Sequence, residues 1–300
     1  MHQGILIVFH GGRDPEGIQQ FLDFYKEAEP AFPEWAVRPA FLEFADPSVL
    51  DALEDMVKAG MRRIVVLPLF LVGAAHMKSD LPAAVHTARA RFPEVEFLYG
   101  RHLGIHPKLN AILDERVEEV ERKLAPLNRA ETIVLLVGRG SGDPDANSDV
   151  CKVARLLWEG RGFSSVEVAF SGITSPSVVE GIERCARLGA QTIIVLPYFL
   201  FTGILIKRMA DEVTKMQQAL APVRVVMADY LGSHRNLIAV LSERFQEVLH
   251  GEVAMSCDRC KHRVVLPGFE HEMGAPQGSD HHHGLRTKHH HDHDHSQHHG

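Results

Sequence analysis

Residues 4–15 read GILIVFHGGRDP and residues 133–144 read IVLLVGRGSGDP. Each is a short apolar run ending in a glycine-bearing turn and an Asp-Pro pair, the pattern of a buried strand feeding a helix N-terminus. A second pair, LPLFLVGAAHMKSD at 67–80 and LPYFLFTGILIKRM at 196–209, keeps the same offset of 129 positions. Further on, LGIHPKLNAIL from Leu103 returns as LGSHRNLIAVL from Leu231 after a one-residue slip. The chain is therefore one unit written twice. Around these landmarks, runs of Val, Ile and Leu alternate with longer amphipathic stretches, which describes parallel sheets covered by helices on both faces. Strands are predicted at 4–9, 36–41, 63–69 and 95–99, and helices at 15–29, 47–59, 78–91 and 107–124. Strands at 132–137, 166–170, 192–197 and 223–228, each followed by a helix, repeat the order. Asp14 before Pro15 and Asp46 before Pro47 serve as N-cap and first-turn signals. The fold class is α/β, with two duplicated doubly wound lobes at 1–126 and 127–250 whose sheets face a shared cleft. Residues 251–300 form an appendage.

The 300 residues are 45% hydrophobic, enough for more than one core. A net charge of -7 with no basic stripe argues against nucleic acid as a partner. No apolar run reaches the roughly 18 residues that cross a bilayer, and the expected location is the cytoplasm. The four cysteines, Cys151, Cys185, Cys257 and Cys260, are too scattered for a disulfide scaffold.

The two copies differ where chemistry is expected. At the repeat offset His10 faces Arg139, His76 faces Leu205 and Glu43 faces Gly172. A site needed only once is free to decay in one half, so His10, His76 and Glu43 are the candidate site. In open parallel sheets ligands bind beyond the carboxyl ends of the strands, and all three residues fall there. Two imidazoles and a carboxylate hold a divalent transition metal with coordination positions left open, and a neutral imidazole also accepts protons. For Glu43, a solvent-facing strand end is an equal reading. Gly11 and Gly12 lack any phosphate-loop pattern and serve a tight turn. Arg13, Lys78, Arg139, Lys207 and Arg208 crowd the same segments, where together they can meet a polyanionic substrate.

The HGGRDP opening, the histidine-bearing LPLFLVGAAHMKSD segment and the two-lobe layout resemble the long form of the CbiX family. These are class II chelatases that insert cobalt into sirohydrochlorin. The resemblance implies a chelatase-like fold, places the metal-handling pair at His10 and His76, and names sirohydrochlorin and Co²⁺ as partners in a route to cobalamin. One departure is visible, since Gly12 stands where the family has a common serine. Ferrous insertion for sirohaem is the alternative within the class, and a metal storage or delivery protein the alternative outside it.

The resemblance extends to the appendage, where MSCDRC at 255–260 matches the MxCxxC motif that long CbiX proteins carry with an iron-sulfur centre. Cys257 and Cys260 alone cannot close a cluster, so the remaining ligands would come from elsewhere or from a second subunit of a homodimer. A redox dithiol and a metal relay are rival readings of the pair. Half of the chain's 20 histidines lie in its last 20 residues. Such a tract cannot pack a core and reads as a disordered tether that gathers metal near the cleft.

Overall fold

The computed structural model describes residues 2–74, 76–251 and 270–273. Cys257, Cys260 and the His-rich tail lie outside the described residues. The first repeat runs β1 (Gln3–Phe9), α1 (Pro15–Ala28), β2 (Ala36–Phe41), α2 (Val49–Lys58), β3 (Arg63–Pro68), α3 (Leu81–Arg91), β4 (Glu96–Tyr99) and α4 (Pro107–Leu124). The second runs β5 (Thr132–Gly138), α5 (Pro144–Trp158), β6 (Ser165–Phe170), α6 (Val178–Arg187), β7 (Thr192–Pro197), α7 (Ile204–Ala219), β8 (Arg224–Met227) and α8 (Arg235–His250). Each repeat forms a four-stranded parallel sheet, ordered β2-β1-β3-β4 and β6-β5-β7-β8.

Alternation along the strands explains the layering. In β1, Ile5 and Ile7 point into one core while Leu6 and Val8 point into another, which requires apolar cover on both sides. Asp14 accepts from the Glu16 amide and Pro15 opens α1, as the Asp-Pro signal predicts. At the second Asp-Pro the prediction needs correcting. Pro47 stays in the turn, and the helix begins two residues later because the Ser48 side chain accepts from the Asp51 amide.

The two sheets do not stand on either side of an empty gap. Their inner faces meet in one continuous core holding Ile5, Ile7, Val65 and Leu67 from the first repeat beside Val134, Leu136, Ile194 and Leu196 from the second. Two helices change sides to build it. α4 packs on β7 of the second sheet, α8 packs on β3 of the first, and the two helices touch each other. Their exchange is anchored by arginines. Arg116 on α4 donates to the Tyr230 and Leu231 carbonyls, while Arg244 on α8 donates to the Leu103 carbonyl. α1 also approaches the second repeat so closely that a Cβ at Gly17 would lie 2.4 Å from the Thr202 carbonyl oxygen.

Two sets of ion pairs across this interface are repeat-related twins. Lys78 Nζ lies 2.8 Å from Asp143 and 3.0 Å from Asp145, and Lys207 Nζ lies 2.7 Å from Asp14 and 2.9 Å from Glu16. Lys207, Asp143 and Asp145 are the repeat counterparts of Lys78, Asp14 and Glu16, so a pseudo-twofold axis relates the lobes.

Candidate metal centre

The strand order decides where the site forms. β1 lies between β2 and β3, so the chain leaves the sheet in opposite directions from its two neighbours, and the loops beyond β1, β2 and β3 meet at this switch point. His10 follows β1 directly, Glu43 follows β2, and His76 begins a π-helical turn at 76–80 that leads into α3. The first two loops are laced together, the Glu43 amide donating to the His10 carbonyl at 2.9 Å. That approach requires glycine at position 11. Its φ is +87°, and a Cβ there would lie 1.8 Å from the Glu43 carbonyl oxygen. At Gly12 a Cβ would meet open space, so crowding does not explain the missing serine.

The three side chains converge. His76 Nε2 lies 3.5 Å from Glu43 Oε1, and the rings of His10 and His76 stand edge to face with centroids 4.9 Å apart. One ligand atom from each of His10, Glu43 and His76 falls within 4.8 Å of the others. An ion bonded at about 2.1 Å needs donors roughly 3–4 Å apart, a spacing that small side-chain rotations would reach from here.

His10 and His76 sit in different surroundings. Burial, followed by the charges of Arg139 and His76, pulls the His10 pKa down to about 3, which leaves its imidazole a neutral lone-pair donor at working pH. His76 stands between two carboxylates, with Glu43 beside Nε2 and Asp80 2.5 Å from Nδ1. A carboxylate on the far nitrogen orients a metal-binding imidazole and keeps Nε2 aimed at the ion. Asp80 was absent from the sequence-based candidates. Its signal was the four-residue spacing from His76 in HMKSD, which places both on one face of a helical turn.

The basic residues divide. Arg139 reaches the site, its guanidinium donating to His10 Nε2 at 2.8 Å. Arg13 lies over the Phe44 ring, 5.0 Å from its centroid, on the same rim. Lys78 is buried with Asp143 and Asp145, so the polyanion contact expected of it gives way to a structural role. Lys207 remains half exposed while holding Asp14 and Glu16, and Arg208 donates to the Ser171 carbonyl.

Fold and site together define a class: a two-lobed parallel α/β protein with two histidines and a carboxylate clustered beyond its strand ends in an arrangement that could hold a metal ion. The family model CbiX matches residues 4–120 and again 133–248. The chain belongs to the CbiX family and is a metal chelatase. It is 40% identical over 275 residues to a sirohydrochlorin cobaltochelatase of Priestia megaterium, covering 90% of this chain and 88% of that one. A sirohydrochlorin ferrochelatase of the same organism is 34% identical over 246 residues, covering 82% and 90%. Among solved structures, the sirohydrochlorin chelatase SirB from Bacillus subtilis subspecies spizizenii in complex with cobalt matches with a TM-score of 0.71 and 28% identity. That match covers 84% of this chain and 97% of SirB.

Proposed function

We propose that this protein inserts Co²⁺ into sirohydrochlorin without ATP, on the route to cobalamin. The observation that carries the reading is the convergence of His10, Glu43 and His76, each half-buried, beyond the strand ends of the first lobe with Arg139 of the second lobe beside them. The similarity to a cobaltochelatase along nine-tenths of the chain supports it.

Insertion requires three things of the protein: holding a partly dehydrated ion, presenting it to the ring nitrogens, and removing two pyrrole protons. His10, held neutral with no proton on Nε2, serves as a ligand. Glu43 lowers the cost of bringing a dication to the rim by supplying negative charge. Once Nε2 gives up the ion to the ring nitrogens, the His76 imidazole, oriented by Asp80, is the base placed to take a pyrrole proton. Arg13 and Arg139 face the same opening and suit the carboxylates of the macrocycle.

Fe²⁺ insertion for sirohaem is the second reading, favoured by the similarity to a ferrochelatase along four-fifths of the chain. Imidazole and carboxylate ligands accept either ion, so the donor set does not separate them. The test is incubation of the purified protein with sirohydrochlorin and Co²⁺, Fe²⁺ or Ni²⁺ in turn, following the change in absorbance. Co²⁺ is expected to react fastest, and His10→Ala or His76→Ala to slow insertion by about a hundredfold or more. A higher rate with Fe²⁺ would transfer the assignment to sirohaem, and wild-type rates in both variants would remove the site from the reaction.

A further inference from the structure

The second copy of the repeat contributes one residue to the metal centre of the first. Arg139 occupies the position that corresponds to His10, and the pseudo-twofold axis brings these two strand ends face to face. The contact between them is therefore a product of the repeat architecture. Arginine has no acceptor, so in the 2.8 Å contact its guanidinium donates and the His10 Nε2 lone pair accepts. Glu43 lies close enough to stabilise the same positive charge. A guanidinium thus satisfies the imidazole lone pair that a divalent ion would use, with the Glu43 charge near enough to favour it there.

One lone pair cannot serve two cations. We infer that Arg139 is a built-in counter-cation of the metal centre, which an incoming divalent ion displaces from His10 Nε2, so that the second lobe sets the metal affinity of the first. The inference rests on the reading of His10, Glu43 and His76 as the metal site. Displacement breaks one charge-assisted hydrogen bond and forms one metal-nitrogen bond, with no proton transferred. The displaced side chain swings toward the open rim, where a substrate carboxylate can receive it. Metal arrival and engagement of an acidic macrocycle then favour each other, because each draws the guanidinium off His10. This gives the asymmetric repeat a purpose. A histidine at position 139 would compete for the ion as a ligand, whereas an arginine holds the site in a charge-balanced form and then releases it.

The test is calorimetric titration of the full-length protein with Co²⁺ alone, comparing wild type, Arg139→Gln, Arg13→Gln and His76→Ala, with circular dichroism to establish that each is folded. Binding to the His-rich tail is removed from the comparison by subtracting a titration of the His10→Ala/His76→Ala double variant. Arg139→Gln is expected to tighten Co²⁺ binding about tenfold or more, the scale of one charge-assisted hydrogen bond. Arg13→Gln, which removes a positive charge from the same rim with no contact to His10, is expected to tighten it by less than about threefold. Unchanged or weaker binding in Arg139→Gln would overturn the inference while leaving the metal site standing. Equal tightening in both arginine variants would overturn it too, since the field of the rim and not the contact would then be responsible. Undiminished binding in His76→Ala would refute the metal-site reading itself, and this inference with it.

Discussion

Single residues carry the chemistry here through their neighbours. His76 and Asp80 form an orienting pair, so Asp80→Asn is expected to lower Co²⁺ affinity or insertion rate by about 10–100-fold while the fold persists. Unchanged values in a titration and a rate assay would remove Asp80 from the site. Two imidazoles are also held neutral. His10 is lowered to about 3 by burial and then by Arg139 and His76, and His102 to about 4 by burial and then by Arg101, Arg244 and Lys78. Both pKa values fall below the ordinary 6.5, so the unfolded chain binds protons that the folded chain refuses. Their contribution to stability is complete above pH 6.5 and fades as the pH falls toward 4 and then 3. The double variant His10→Gln/His102→Gln is expected to lose less melting temperature than wild type between pH 7 and pH 4. An identical loss in thermal melts would contradict the shifts. At this scale the sequence was legible where the two copies differed, at His10, Glu43 and His76. It was harder to read where a residue acts through another, because the four-residue spacing of His76 and Asp80 signals a shared helical face without saying that the two side chains pair.

The elements show how far a repeat can be read. Strands and helices could be placed from periodicity because the inner strands β1, β3, β5 and β7 are apolar on both faces and the helices bury one face. The partner of a helix is another matter. An amphipathic stripe states that α4 has a buried face without stating which sheet covers it, so the exchange of α4 and α8 left no mark on the pattern. The repeated lysines show the same limit. Lys78 and Lys207 lie beside candidate site segments in the chain, yet each closes on carboxylates at the start of a helix in the opposite lobe. These twins differ in burial, with side-chain exposure of 8% for Lys78 and 53% for Lys207. Lys78→Met strands the fully buried Asp143 carboxylate and is expected to cost about 3–5 kcal/mol. Lys207→Met removes a solvated pair and is expected to cost much less. Urea unfolding decides the matter, and equal costs would contradict the assigned environments.

At the scale of the whole molecule, duplication followed by divergence accounts for both stability and function. The repeats share one central core and exchange a helix each, so neither is a complete unit. Residues 1–126 and 127–250 produced separately are expected to remain unfolded or aggregate, and to regain helical circular dichroism and cooperative melting when mixed or co-produced. Independent cooperative melting of either half would show that the exchange matters little. Shared architecture also places Arg139 of one lobe against His10 of the candidate metal site in the other. One copy kept the imidazoles and the second became a wall with an arginine in the opening.

The most direct measurement is anomalous diffraction at the cobalt edge from crystals of the protein loaded with Co²⁺. The predicted result is a peak bonded to His10, His76 and Glu43, with the Arg139 guanidinium moved off His10 Nε2. Cobalt found only away from these three side chains would contradict the assignment of the site on which the proposed chelatase reaction depends.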